Sequence, residues 1–186
     1  MRVPWRPTLV YTWDGMETGT RGMDQATGQI GTMVEAAREY CALIEQARVR
    51  DPAWLELLFQ LLPRLHAAIT AAQPGRGEAL LPVHIDIDQR FELFSRLRAE
   101  LGEFDSYWLE YDNGNATHPQ NQSGSLADDL TDIYFDLKPG LDLLGRVSPE
   151  KVLRFWRRSF ELHWGQHLVD AERHLYALRA QQGFGV

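Results

Sequence analysis

The chain is poor in the residues that would make it a secreted, membrane or nucleic-acid-binding protein. It has a single cysteine, Cys41, among 186 residues. No intrachain disulfide and no cysteine-based zinc site can therefore form. Cys41 lies among Tyr40, Ala42, Leu43 and Ile44, which reads as a small buried apolar residue rather than a nucleophile. No apolar run approaches the ~20 residues of a membrane span, and no signal-like apolar stretch follows Arg2 and Arg6. Basic charge is also short: 19 Lys and Arg stand against 26 Asp and Glu, a formal net charge of −7. With no Lys/Arg-rich run to form a local basic face, a nucleic-acid partner is not expected, nor is a membrane partner. The expected location is the cytoplasm, where the sequons at Asn115 and Asn121 carry no meaning. P-loop, Gly-x-Gly-x-x-Gly and Gly-x-Ser-x-Gly motifs are missing as well.

Helical periodicity fills most of what remains. Residues 1–23 hold Pro4, Pro7, Gly15, Gly19 and Gly22 without sustained periodicity. They read as a flexible tail, with Met16 or Met23 as alternative starts and Trp5 and Trp13 as the argument for keeping it. From about Ile30, Met33, Ala37, Tyr40, Ile44 and Ala47 recur at spacings of three and four. Asp51-Pro52 opens a second helix to about Ala72, with Leu58, Leu61, Leu62, Leu65 and Ile69 as its stripe and a kink expected at Pro63. Asp88 is expected to cap a third helix, with Phe91, Phe94, Leu97 and Leu101 facing inward and Gly102 as its stop. Residues 104–111 read as a further helical piece, and 112–125 as a polar loop. Ser125 caps a fourth helix whose stripe is Leu126, Leu130, Ile133, Leu137, Leu141 and Leu144, with a bend expected at Pro139-Gly140. Ser148-Pro149-Glu150 starts the last helix, which runs to about Gln181 and spans roughly 45 Å. Its stripe is Leu153, Trp156, Phe160, Trp164, Leu168, Ala171, Leu175 and Leu178. Gly165 inside it suggests the close approach of another helix. The expected fold is all-α: a single domain over 24–186 with five or six helices in a bundle.

Charge is concentrated. Between Glu103 and Asp142 nine acids face one lysine, Lys138, whereas the last helix carries Lys151, Arg154, Arg157, Arg158, Arg173 and Arg179 with His163, His167 and His174. The acidic and basic helices are expected to face each other. On a helical wheel Asp129 and Asp136 lie about 70° from the leucine stripe, with Asp132 further round on the same side. His163, His167, Asp170 and His174 flank the aromatic stripe of the last helix. Polar groups at a core edge must find partners. Two readings fit. In one, His–Asp and Arg–Asp hydrogen bonds fix helix register. In the other, His163 and His167 join Asp129, Asp132 and Asp136 around a divalent metal: zinc, manganese or iron for mixed ligation, magnesium for carboxylates alone. The segment His163-Trp164-Gly165-Gln166-His167 lacks the glutamate of a zinc protease, and the Glu-x-x-His pairs of di-iron bundles are missing. Trp108, Trp156 and Trp164 read as core in preference to a pocket lining.

Three segments carry a family likeness: Asp105-Ser106-Tyr107-Trp108, the run Leu126 to Lys138, and the run Phe160 to Ala171. They resemble the bacterial domain-of-unknown-function family numbered five thousand and sixty-three, over roughly residues 30–180. The resemblance implies an all-α bacterial domain and supplies no activity. Its signature includes the aspartates of the fourth helix and both histidines of His163-Trp164-Gly165-Gln166-His167. The chain departs at Asp170-Ala171-Glu172-Arg173-His174-Leu175, which removes His174 from any shared role. The run Asp128 to Phe135 is also similar to the acidic helix of MazG-like nucleotide pyrophosphohydrolases. That likeness implies magnesium held by carboxylates of two helices, with Glu35 and Glu39 on the second. This chain has Asp where those enzymes favour Glu, and the histidine segment has no counterpart there. Whether the chain is an enzyme or an interaction module with a structural seam stays open on the sequence; a module would offer the acidic 103–142 stretch or an exposed aromatic patch to a protein partner.

Overall fold

A computed structural model describes residues 17–47, 52–84, 86–111 and 120–182. The first sixteen residues, including Trp5, Trp13 and Met16, lie outside this set, as do Asp51 and the Asn115 sequon. Six helices and one hairpin follow in order: α1 Glu17–Glu45, α2 Pro52–Ala71, α3 Ile87–Leu101, a short 3-10 turn Gly102–Phe104, β1 Ser106–Tyr111, β2 Gln120–Ser125, α4 Leu126–Leu143, α5 Pro149–Ser159, a π-helical turn Phe160–Trp164, and α6 Gly165–Gln182. The architecture is an all-α bundle. Helix α1 starts at Glu17, well before Ile30, so the weak periodicity of the preceding residues hides helical backbone.

The stripes of α1 and α2 form the core as their spacing requires: Met33, Ala37, Tyr40 and Ile44 pack with Leu58, Leu62, Leu65 and Ile69, all fully buried. Helix α4 is the hub, packed on α1, α3, α5 and α6. Its Leu126, Leu130, Ile133 and Leu137 are inaccessible to solvent. Ser125 caps it by accepting the Asp128 N–H. The helix runs without interruption through Pro139 to Leu143. Gly140 has a packing role: a Cβ there would lie 2.3 Å from the Trp156 indole nitrogen. With no side chain in the way, the indole packs against α4 and donates to the Leu137 carbonyl at 3.1 Å. Trp156 and Trp164 are core, as expected, and Trp108 is exposed.

Three local expectations are corrected. The N-cap of α3 is Asp86, which accepts the N–H groups of Asp88 and Gln89, and Asp88 sits in the first turn. The buried face of α3 is Leu93, Leu97 and Leu101, one turn apart, while Phe91 is exposed and Phe94 only half-buried. The segment expected to be a helical piece and a polar loop forms an antiparallel hairpin, with Tyr107 opposite Gly124. Along β1 successive side chains take opposite faces, Tyr107 buried and Trp108 exposed. A Cβ on Gly124 would meet the Tyr107 ring at 2.3 Å, so the glycine makes the slot in which that ring lies. Buried Asp105 ties the hairpin to α4, accepting the Ser125 hydroxyl and the Ala127 N–H at 2.9 and 2.8 Å.

Gly140→Ala should destabilise the protein by about 1–3 kcal/mol, because the added methyl must displace a packed indole. Urea unfolding followed by tryptophan fluorescence measures this; an unchanged midpoint would show that Trp156 does not need the space.

Candidate metal centre

The site forms where α4 meets the last helical run. Asp129, Asp132 and Asp136 project from α4 at spacings of three and four, which places them along one side of the helix. Asp129 and Asp132 are only 5% and 7% exposed. Opposite them stand His163, from the π turn, and His167, from the first turn of α6. Their rings lie 5.1 Å apart and nearly perpendicular. His163 Nδ1 is 2.6 Å from Asp136 Oδ2, and His167 Nδ1 is 2.8 Å from Asp129 Oδ1. With both Nδ1 atoms bonded to carboxylates, Nε2 is the nitrogen left on each ring. That of His167 points at Asp132 Oδ2, 3.3 Å away. Asp132, His163 and His167 each offer one ligand atom within 4.8 Å of the others, and no other such trio occurs among the described residues.

The π turn shapes this geometry. Gly165 N–H bonds to the Phe160 carbonyl five residues back, and a Cβ on Gly165 would lie 2.4 Å from that oxygen. The glycine is therefore required by its own helix, and not by a neighbouring one as its position suggested. π turns of this kind are frequent at functional sites.

The profile of DUF5063, a domain of unknown function, matches residues 24–181. The chain belongs to the DUF5063 family. No curated protein matches it. In fold it is similar to the crystal structure of protein BF1032 from Bacteroides fragilis, with a TM-score of 0.65 and 21% identity, over 81% of this chain and 92% of that one. That likeness concerns fold alone.

In this DUF5063 chain the five sequence-selected residues divide by position. Asp132, His163 and His167 converge. Asp129 and Asp136 stand behind the two imidazoles and hold their Nδ1 atoms. His174 is elsewhere: its Nε2 is 2.7 Å from the Phe104 carbonyl and its ring stacks on Tyr107 at 4.5 Å. Among the described residues no ion pair joins an arginine of the last helical run to α4. Arg157 donates to the Ile69 carbonyl and to Glu161, and Arg154 to the Glu78 carbonyl. Arg90 of α3 does pair with α4: its Nε donates to Asp132 at 2.9 Å and its Nη2 reaches Asp128 at 3.1 Å. Glu39 pairs with Arg64 of α2, Glu35 is exposed, and neither joins the aspartates. The two-helix carboxylate arrangement implied by the pyrophosphohydrolase likeness is thus not assembled.

Two participants were missed at the sequence level. One is Arg90, on a helix 42 residues from Asp132. The other is Tyr107, whose hydroxyl donates to Asp129 Oδ2 from the hairpin. Tyr107 and Trp108 are both aromatic, so their alternation shows in burial and not in residue type, and nothing local pointed to the strand or to its partner.

Burial sets the electrostatics. It raises the Asp129 and Asp136 carboxyls above the ordinary range, although the hydrogen bonds from His167 and Tyr107 to the first, and from His163 to the second, work the other way. The bond to Asp129 raises His167, burial opposes it, and Asp132 and Asp128 add to the rise. Burial lowers His174 against its bond to the Phe104 carbonyl. The two histidines therefore act on stability with opposite signs. The His167 contribution is complete below pH ~6.5 and fades as pH rises through its raised folded value. The His174 contribution is present above pH ~6.5 and is lost as pH falls through its depressed one. In metal-free protein, NMR titration of the ring protons should place the His167 midpoint above, and the His174 midpoint below, the ordinary histidine value. A reversed order would contradict the hydrogen-bond assignment.

Proposed function

We propose that this protein binds a divalent transition-metal ion through Asp132, His163 and His167, with Asp129 and Asp136 orienting the two imidazoles. The observation that carries the reading is the fixed orientation of both rings. Metal-bound histidines commonly give their second nitrogen to a carboxylate, which sets the tautomer and raises the basicity of the ligating nitrogen. Both rings here already have that arrangement. An ion at ~2.0–2.2 Å from each ligand sets neighbouring ligand atoms about 3.0–3.5 Å apart. The separation of His167 Nε2 and Asp132 Oδ2, 3.3 Å, is already within it.

Two imidazoles and one carboxylate suit zinc, manganese or iron, and the nitrogen donors argue against magnesium. Three protein ligands leave coordination positions free, as in catalytic centres. With His163 half-exposed, those positions would open toward solvent, where a bound water would be acidified and made available for hydrolysis. A cytoplasmic setting fits the lone buried Cys41.

The second reading is a structural seam in an interaction module. It is favoured by the Arg90 bond to Asp132, which neutralises that carboxylate without any ion. The seam would then fix the register of α3, α4 and α6, and exposed aromatics such as Phe91, Trp108 and Tyr176 would meet a protein partner.

Elemental analysis of protein purified without chelator separates the two. The metal reading predicts near-stoichiometric zinc, manganese or iron. It also predicts that His163→Ala, at a half-exposed position, loses the metal by at least tenfold in affinity while the fold persists. Metal-free protein that takes up none of these ions on titration would leave the structural seam.

A further inference from the structure

The hairpin reaches the site through one hydroxyl. Tyr107 donates to Asp129 Oδ2, and the other oxygen of the same carboxylate takes His167 Nδ1. The Asp129 carboxylate is thus held at both oxygens and cannot rotate without losing a partner. A single-point contact would leave it free to turn about its side-chain bonds and carry the imidazole with it.

The surroundings of Tyr107 are arranged to hold the ring, and not merely to bury it. One face stacks on His174, which is anchored on the Phe104 carbonyl. The cross-strand position carries Gly124, where any Cβ would strike the ring at 2.3 Å. The strand bearing Gly124 runs directly into Ser125 and α4, and Asp105 clamps that junction. The hydroxyl and Asp129 are therefore held at a fixed separation by the same short piece of chain. Among the described residues the His163 side has no equivalent from the hairpin: Asp136 bonds His163 of the helical run, and His163 is half-exposed.

We propose that Tyr107 is a positioning residue for the metal centre, acting through Asp129 to fix the His167 ring with Nε2 toward the ion. This rests on the metal reading above. The hairpin then serves as the back wall of the centre, and the two histidine ligands are unequal: His167 is set in place from behind, while His163 adapts to what binds.

The test uses Tyr107→Phe in the full chain, which keeps the ring and its stack on His174 and removes only the hydroxyl. Zinc affinity is measured by competition with a chromophoric chelator, and cobalt(II) replaces zinc for visible spectroscopy. The expected result is an affinity loss of about tenfold or more, as for other partners behind a metal ligand, with an altered cobalt spectrum. In an Asp129→Ala background the same change should cost much less, because the side chain through which Tyr107 reaches His167 is gone. Circular dichroism confirms that each variant is folded at the temperature used. Tyr107→Phe that lowers the melting temperature but leaves zinc affinity and cobalt spectrum as in the wild type would overturn the proposal and leave the metal reading intact. Equal losses with and without Asp129 would also overturn it. Wild-type protein that binds neither zinc nor cobalt would remove both.

Discussion

Burial of carboxylates on α4 is the constraint to which the rest of this structure responds. Asp129 and Asp132 sit in the hub helix at positions almost closed to solvent. A charge so placed is expensive unless it is paired and hydrogen-bonded. Three other elements supply partners: the hairpin gives Tyr107, α3 gives Arg90, and the last helical run gives His167. Each arrives from a different part of the chain, so the pairing also ties those elements to α4. Removing one partner would leave an uncompensated carboxylate in the interior, which is why such networks hold a fold in one arrangement.

The same network leaves an opening for chemistry. Hydrogen bonds at Nδ1 fix which nitrogen each imidazole presents. His163, in the π turn, lies beside His167 with the ring planes at 72°, and each offers a ligand atom within 4.8 Å of the other and of Asp132. Arg90 acts against this by occupying one oxygen of Asp132, but the other oxygen faces His167. Neutralisation by arginine and ligation of an ion are therefore compatible on the same carboxylate.

Much of this was legible in the sequence. Helical spacing alone put Asp129, Asp132 and Asp136 on one side of α4 and His163 with His167 on one side of the last helix, because the period of 3.6 converts spacing into direction. It could not separate Asp132 from the two aspartates behind the imidazoles, since that depends on which oxygen meets which nitrogen. It also missed the hairpin. Strands of six residues carry little periodic signal, and the feature that matters there, Gly124 against Tyr107, is a cross-strand relation. Arg90 was invisible for a related reason: its pairing is set by how α3 packs, and α3 turned differently from the expectation built on Phe91 and Phe94. Gly165 was noticed, but its cause is a π turn, which a wheel of fixed 100° steps cannot represent.

The central claim is that two carboxylate-backed imidazoles and Asp132 form one cation site. A crystal grown with zinc, with an anomalous-difference map at the zinc edge, tests it most directly. The account predicts one strong peak at ~2.0–2.2 Å from the Nε2 atoms of His163 and His167 and from an oxygen of Asp132, with Asp129 and Asp136 still bonded to the Nδ1 atoms. A peak on the Nδ1 side of either ring, or no peak between α4 and α6, would contradict it.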